Sequence, residues 1–124
     1  MKNIKNKSLV TVILASGIGQ RVKKSIPKQY FTLNNKTLLE ININKFLANK
    51  VNNKIVVVIN KSHKNYYKKI LKKYTNIDFI YGSNSRQKSS LNALIFLEKK
   101  GFKYVAIHDA ARPFVAEKLI YNLY

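Results

Sequence analysis

The sequence has no cysteine, no long hydrophobic run and few acidic residues. The absence of cysteine excludes disulfides, thiolate metal sites and cysteine nucleophiles. No apolar run approaches the roughly 20 residues that a membrane span needs. The apolar stretch 9–15 follows a basic start but is short and leads into a glycine loop, so it predicts a first β-strand rather than a signal peptide. We therefore expect a cytoplasmic protein that does not bind a membrane.

Acidic side chains are scarce: they are Glu40, Asp78, Glu98, Asp109 and Glu117. Against them stand 24 lysines and arginines, which give a formal net charge of +19. Such a balance occurs in proteins that bind nucleic acids. Here most of the cations are lysines spread along the chain, which favours a compositional bias and no nucleic-acid partner. The positive field would still attract an anionic substrate.

Two kinds of hydrophobic pattern alternate along the chain. Continuous aliphatic runs predict buried strands at 9–15 and 54–59, and two further strands are predicted at 77–81 and 104–108. Helices are predicted after the capping box Thr37 to Glu40, after Ser62 as N-cap, after the turn 82–85 and from near Ala116. The shared faces of the first three helices are predicted to be Leu39, Ile43, Phe46 and Leu47, then Tyr67, Ile70, Leu71 and Tyr74, and then Leu91, Leu94 and Ile95.

This alternation predicts a Rossmann-like α/β fold, with a mainly parallel sheet and helices on both faces. The 124 residues, 46% of them hydrophobic, fit one small domain, and no repeat or linker divides them. Ligands of such sheets bind beyond the carboxyl ends of the strands. Because only one short element follows the fourth strand, we expect the fold to be truncated.

The first candidate motif runs from Ala15 to Arg21 and continues at Pro27-Lys28-Gln29, directly after the first predicted strand. Gly17 and Gly19 are expected to allow positive φ and close backbone approach to a phosphate chain. Arg21 and Lys28 add two cations. The motif lacks the Gly-Lys-Ser/Thr of a Walker A loop. Taken alone, it could equally be a solvated glycine turn with surface charges.

Two further motifs follow later strands. The segment Gly82 to Ser90 has hydroxyls and free N–H groups that suit an anion or the edge of a base, although Ser83 or Ser85 could simply cap a helix. In the segment from His108 to Phe114, Asp109 is the one acid that lies at a predicted strand end beside the expected cleft. A carboxylate there suits Mg²⁺ with substrate phosphates, or else a cap or a partner of Arg112. We expect His108 to be packed or hydrogen-bonded.

The segments 15–21, 27–30, 86–89 and 108–113, in this order and spacing, resemble the 2-C-methyl-D-erythritol 4-phosphate cytidylyltransferase family, which has a nucleotidyltransferase fold. The resemblance extends from about Leu9 to the last residue. It implies transfer of CMP from CTP to 2-C-methyl-D-erythritol 4-phosphate, with release of pyrophosphate, in the non-mevalonate route to isoprenoids. Residues 1–124 would be the nucleotide-binding N-terminal portion of a single cytidylyltransferase domain.

The resemblance also implies roles for individual residues. Arg21 and Lys28 would be catalytic by stabilising charge on the α-phosphate, Asp109 would bind Mg²⁺, and Arg112 would lie on the side of the sugar-alcohol phosphate. Gly82 and Ser89 would meet the cytosine. The full set of residues implied to bind the nucleotide is Ala15, Ser16, Gly17, Gly19, Gly82, Arg86, Ser89 and Asp109.

The chain departs from the family pattern in two respects. Ser16 stands where the family usually has its second alanine. Family members are roughly twice as long, and the family is homodimeric through an arm that we expect this chain to lack. We therefore expect nucleotide binding with little or no turnover. Three alternatives stay open: a ribitol-5-phosphate type of cytidylyltransferase, a basic nucleic-acid-binding module and an inactive truncated remnant.

Overall fold

The computed structural model describes residues 9–17, 26–48, 54–83, 85–102, 104–112 and the backbone of 119–122. Its main sheet has five strands in the order β5-β4-β1-β6-β7. These are β1 (Leu9–Ala15), β4 (Lys54–Ile59), β5 (Asp78–Tyr81), β6 (Tyr104–Asp109) and β7 (Leu119–Asn122). β1, β4, β5 and β6 are parallel, and β7 pairs antiparallel with β6. The predicted α/β class and mainly parallel sheet are confirmed.

The central strand is β1, which hydrogen-bonds to β4 on one edge and to β6 on the other. All seven of its residues are buried. A strand covered by a sheet neighbour on each edge and by helices on each face meets no water, which is why its sequence is a continuous apolar run instead of an alternating one. The same reasoning applies to β4, where five of six residues are buried.

Helices cover both faces of the sheet. α1 (Leu38–Ala48) and α2 (Lys64–Lys73) pack on the face that carries Ile13 and Val57, whereas α3 (Arg86–Glu98) packs on the face that carries Val12 and Val56. Alternate residues of one strand therefore enter two separate cores, as the period of two in a strand requires. Among the described residues, none of the helices is long and apolar enough to cross a membrane.

The predicted capping box at the start of α1 is confirmed. The Glu40 carboxylate accepts hydrogen bonds from the backbone N–H and the hydroxyl of Thr37, each at 3.0 Å, and the Thr37 hydroxyl accepts one from the N–H of Glu40 at 3.1 Å. Just before α1, the short strands β2 (Thr32–Leu33) and β3 (Lys36–Thr37) form an unpredicted hairpin. Its two-residue turn, Asn34-Asn35, has positive φ at both positions, which asparagine tolerates.

Two predictions about the other helices are wrong. Ser62 does not cap α2: a 3₁₀ turn covers 61–63, and the Asn60 side chain caps it by accepting the Ser62 N–H. The buried positions of α3 are Ser89, Ala93 and Leu97, whereas Leu91 and Ile95 are about half exposed. Of the three predicted residues, Leu94 alone packs against the core, as a partly buried side chain. Two of the three buried positions are small residues, which a search for large apolar residues does not find.

The predicted final helix is also contradicted. Residues 119–122 form the strand β7, which pairs with β6 from Tyr104↔Asn122 to Ile107↔Leu119. Residues 113–118, where the helix was predicted to begin, lie outside the described residues. The run Leu-Ile-Tyr satisfies its backbone groups on the open edge of β6, and this ladder outweighs the helical pattern.

We predict that Glu40→Gln lowers the free energy of unfolding by about 1 kcal/mol near neutral pH. Burial raises the pKa of the Glu40 carboxyl, but hydrogen bonds from Lys73 and Thr37 outweigh it and hold the pKa below 4.5. The carboxylate therefore stabilises the fold above pH 4.5, and this contribution is lost as pH falls through the folded pKa.

Urea unfolding of both proteins between about pH 7 and pH 4 measures this difference. It should shrink as the pH falls. The exposed Glu98 provides the matched control, because Glu98→Gln removes a carboxylate with the same chemistry from the surface. A difference that stays constant across the pH range, or an equal effect of Glu98→Gln, would contradict the assignment.

Candidate functional site

A cleft of about 260 Å³ opens where the carboxyl ends of β1 and β6 meet. The chain runs from β1 outward to β4 and β5, and then returns to the opposite edge of β1 as β6. Loops after β1 and β6 therefore diverge and leave a crevice, which is where open α/β sheets bind ligands. The residues that line it are Leu14, Ser16, Gly17, Lys28, Gln29, Arg86, Asp109, Ala111 and Arg112.

The loop after β1 is held by two side-chain amides. Gln29 donates from Nε2 to the carbonyl oxygens of Ala15 and Gly17, each at 2.9 Å. Asn60, the first residue after β4, donates from Nδ2 to the carbonyl oxygen of Ser16 at 3.1 Å. Three consecutive carbonyl groups of the loop thus have side-chain donors.

A buried cluster of serines joins the loop after β1 to the segment after β5. The hydroxyls of Ser16 and Ser89 lie 2.6 Å apart, and Ser89 Oγ also donates to the Ser83 carbonyl at 3.0 Å and accepts from the Ser83 N–H at 2.9 Å. Because the single Ser89 proton goes to the Ser83 carbonyl, Ser16 is the donor to Ser89. Ser89 is fully buried, so its hydroxyl holds the Ser83 peptide and does not face the cleft.

Gly82 lies against this cluster at a point where no side chain fits. A Cβ there would come within 2.5 Å of Val58 Cγ1, 2.6 Å of Ser89 Oγ and 2.8 Å of Ser16 Oγ. Gly17 is different: among the described residues, a Cβ would meet nothing within 4 Å. Gly17 does not use the positive φ that glycine allows, because the loop leaves β1 without a left-handed turn at this residue.

The charges of the cleft are unequal. Lys28, Arg86 and Arg112 line it together with Asp109, the sole acid among its described lining residues. Arg86 Nε lies 3.1 Å from Asp109 Oδ1, and Arg112 Nε lies 3.9 Å from Asp109 Oδ2. Within the described ranges, no three His, Cys, Asp or Glu side chains form a metal-ligand group. The arrangement can bind an anion with several negative charges, and its one carboxylate can contribute to a site for a hard cation.

His108 lies behind the cleft and not in it. Its Nε2 is 2.8 Å from Asn42 Oδ1, and its ring packs edge-on against Phe46 with centroids 5.0 Å apart. Asn42 also donates to the carbonyls of Leu38 and Ala110. The prediction that His108 is packed and hydrogen-bonded is confirmed. These bonds fix the start of the loop after β6.

Several residues singled out in the sequence come together around the cleft. Ser16, Gly17, Lys28, Arg86, Asp109 and Arg112 line it. Gly82 and Ser89 lie underneath as packing and hydrogen-bonding partners, and Ala15 ends β1. Ser83 and Ser85 were the two candidates for a helix cap. Ser85 caps α3, and its hydroxyl accepts the Lys88 N–H at 3.2 Å. Gly19 and Arg21 lie outside the described residues.

Sequence reasoning missed Gln29 and Asn60 as functional residues. Gln29 stands in the quoted motif beside Lys28, but the motif gave it no role. Asn60 follows the last apolar residue of β4. A polar side chain directly after a buried strand was a usable signal, since neighbouring parallel strands end on the same side of the sheet, where ligands bind.

A family model and individual proteins match this chain in sequence. The family model of 2-C-methyl-D-erythritol 4-phosphate cytidylyltransferase matches residues 9–124. The enzyme of that name from Thermosipho melanesiensis is 43% identical over 115 residues, which cover 90% of this chain and 50% of the relative. The bifunctional enzyme IspD/IspF of Wolbachia pipientis is 38% identical over 122 residues, covering 96% of this chain and 31% of the relative.

Solved structures agree with the sequence relatives. The 4-diphosphocytidyl-2C-methyl-D-erythritol synthase of Anaerococcus prevotii superposes with a TM-score of 0.72 at 30% identity, covering 90% of this chain and 47% of that chain. Rv0371c of Mycobacterium tuberculosis, at 15% identity and a TM-score of 0.65, shares the fold. The chain spans about half the length of the single-function curated relatives that it matches.

We predict that Gly82→Ala lowers the free energy of unfolding by roughly 1–3 kcal/mol, because the new methyl group overlaps Val58 and both serine hydroxyls. Gly17→Ala is the matched control and should be neutral or slightly stabilising, since its methyl group enters open space. Both changes restrict the unfolded chain equally, so their difference isolates the clash. Equal unfolding midpoints in urea would contradict the packing described here.

Proposed function

The chain belongs to the 2-C-methyl-D-erythritol 4-phosphate cytidylyltransferase family, and from that premise we propose that its cleft binds CTP for the transfer of CMP to 2-C-methyl-D-erythritol 4-phosphate. The observation that supports this most directly is the set of cations at the switch point of the sheet. Lys28, Arg86 and Arg112 face one crevice beside a loop whose carbonyl groups are held by other partners. A triphosphate is the kind of ligand that such a crevice suits.

In the proposed reaction, an oxygen of the acceptor phosphate forms a bond to the α-phosphorus of CTP. The bond from that phosphorus to the bridging oxygen of the β-phosphate breaks, and pyrophosphate leaves with the electron pair. Both reactants are anions, so catalysis requires alignment and positive charge more than a protein nucleophile. Lys28 would supply charge on the nucleotide side. Family resemblance gives Arg21 the same role, and Arg112 would face the acceptor.

The cleft also fits a magnesium ion. Asp109 offers a carboxylate at the end of β6, and Mg²⁺ commonly takes one or two carboxylates together with substrate phosphates and water. We propose Asp109 as the protein ligand. When bound, the metal would neutralise phosphate charge. Arg86 and Arg112, which pair with the Asp109 carboxylate, would then be released to the substrate phosphates.

We propose the acceptor substrate from the names of the family and the relatives that match this chain. The family model and the Thermosipho relative carry the methylerythritol phosphate name, so the ribitol-5-phosphate alternative and the nucleic-acid-binding alternative are not favoured. From the same resemblance we propose a cytoplasmic enzyme of the non-mevalonate isoprenoid route that works as a homodimer. The proposal covers the whole enzyme, of which these residues would provide the nucleotide side.

We predict that Lys28→Ala weakens the binding of CTP with Mg²⁺ roughly tenfold or more, because an ammonium group that contacts phosphate is worth about 1.5–3 kcal/mol. Calorimetric titration of the 124-residue chain measures the affinity. Lys36→Ala is the control, since Lys36 is an exposed lysine of the β2–β3 hairpin. Wild-type protein that binds no CTP, or equal losses in the two variants, would refute the proposed site.

We also predict a preference for CTP over ATP. By resemblance, the segment from Gly82 to Ser90 meets the base. Since Ser89 is buried, the contacts would come from the polar groups of this segment that stay accessible, and a mismatched base would leave them unpaired at a cost of about 1–3 kcal/mol. Competition between the two nucleotides at equal Mg²⁺ tests this. Equal affinity would refute base recognition while leaving phosphate binding intact, so the two parts of the proposal can be separated.

A further inference from the structure

Three consecutive carbonyl groups end β1 and begin the cleft loop, and each accepts a hydrogen bond from a buried amide. Gln29 Nε2 bonds to Ala15 and Gly17, and Asn60 Nδ2 bonds to Ser16. Gln29 is 5% exposed and Asn60 is 7% exposed. The carbonyl oxygens of residues 15–17 are therefore directed to groups inside the protein and not to the solvent of the cleft.

The donor count makes this arrangement specific. A glutamine amide has two N–H groups, and Gln29 uses one for each of its two carbonyl partners. Carbonyl oxygens only accept, so the nitrogen of Gln29 must face them. Glutamate or methionine at this position could not replace these two donors.

Asn60 divides its two functions between its two side-chain atoms. Its Oδ1 accepts from the N–H of Ser62 at 3.0 Å and from the Ser62 hydroxyl at 2.7 Å, which caps the turn before α2. Its Nδ2 donates to the Ser16 carbonyl. The oxygen thus serves the fold, and the nitrogen serves the loop of the cleft.

We propose that Gln29 and Asn60 are positioning residues for the nucleotide: they keep the carbonyl oxygens of residues 15–17 away from the phosphates and fix the planes of the peptides in advance. This inference rests on the proposed function. A carbonyl oxygen carries partial negative charge and would repel a triphosphate if it turned into the cleft. Because the peptide group is planar, fixing the carbonyls of Ala15 and Ser16 also fixes the N–H directions of Ser16 and Gly17.

Asn60→Asp separates the two functions of this residue. Aspartate keeps the oxygen that caps the turn, but its second oxygen faces the Ser16 carbonyl inside the protein, so we expect the melting temperature to fall by roughly 4–8 °C or more. Binding is therefore measured at a temperature at which both proteins stay folded. The donor to Ser16 is lost. We expect the affinity for CTP with Mg²⁺ to fall about tenfold. Asn65→Asp, which adds the same charge at an exposed position of α2, should leave the affinity unchanged.

A carbonyl resonance gives a second readout that needs no nucleotide. The ¹³C′ shift of Ser16 reports whether its oxygen accepts a hydrogen bond, and it should move in Asn60→Asp but not in Asn65→Asp. Gln29→Met, which removes both donors without adding charge, should move the ¹³C′ shifts of Ala15 and Gly17 and also weaken CTP binding.

The outcomes are distinct. A shifted Ser16 resonance with unchanged CTP affinity would overturn the positioning role, and so would an equal loss of affinity in Asn65→Asp. An unmoved Ser16 resonance would show that the bond from Asn60 is absent and would overturn it too. If the wild type binds no CTP, the proposed function fails. Titration with tripolyphosphate then decides the positioning role: a weakening confined to Asn60→Asp and Gln29→Met would support it, and equal affinities would overturn it.

Discussion

Parallel hydrogen bonding of β1 to β4 on one edge and to β6 on the other determines where the polar groups of this chain lie. In register, Ala15 pairs with Ile59 and Leu14 pairs with Asp109. The residues that follow each strand therefore emerge at the carboxyl end of the sheet, within a few ångströms of one another. Asn60 reaches the Ser16 carbonyl because of this alignment, and the loop after β6 is anchored by the Ala110 N–H on the Leu14 carbonyl at 2.9 Å.

Many of the buried polar side chains among the described residues lie near these carboxyl ends of the strands. Gln29, Asn60 and Ser89 bond to backbone groups of the loops around the cleft, and Asn42 links His108 to the Ala110 carbonyl. An unpaired buried polar group costs about 1–3 kcal/mol, whereas a paired one contributes modestly to stability. Each of these side chains has its partners, so the loops can be fixed from beneath without a large loss of stability. The loops around the cleft are thus supported by a hydrogen-bonded layer, and Leu14 and Ala111 add apolar surface to the lining.

β1 and β4 were predictable because a strand that is buried on both faces has a continuous apolar sequence, as 9–15 and 54–59 do. β5 was predicted although none of its residues is fully buried, because it follows the alternation of strand and helix patterns. The start of α1 was predictable because the capping box is a local interaction. The buried face of α3 was not, since Ser89 and Ala93 are small for a reason that only the sheet beneath them supplies. β7 was mistaken for a helix because its strand conformation comes from pairing with β6, which no local pattern contains.

In the site, the charged residues at strand ends were recognisable from their residue type and their position after a strand. The hydrogen bonds of Gln29 and Asn60 to the loop were not recognisable, because they join segments 12 to 44 residues apart in the sequence.

The ion pairs of Asp109 bear on the order in which the proposed ligands would arrive. Arg86 and Arg112 approach opposite oxygens of this carboxylate, and Lys28 adds a third cation to the cleft. A free divalent cation would meet a carboxylate that is already paired, inside a surplus of positive charge. A nucleotide would offer phosphate oxygens to the same guanidinium groups, and these form bidentate bonds with phosphate. The carboxylate would then lose its partners as negative charge enters, so the cleft suits a metal that arrives together with the triphosphate better than one that binds first.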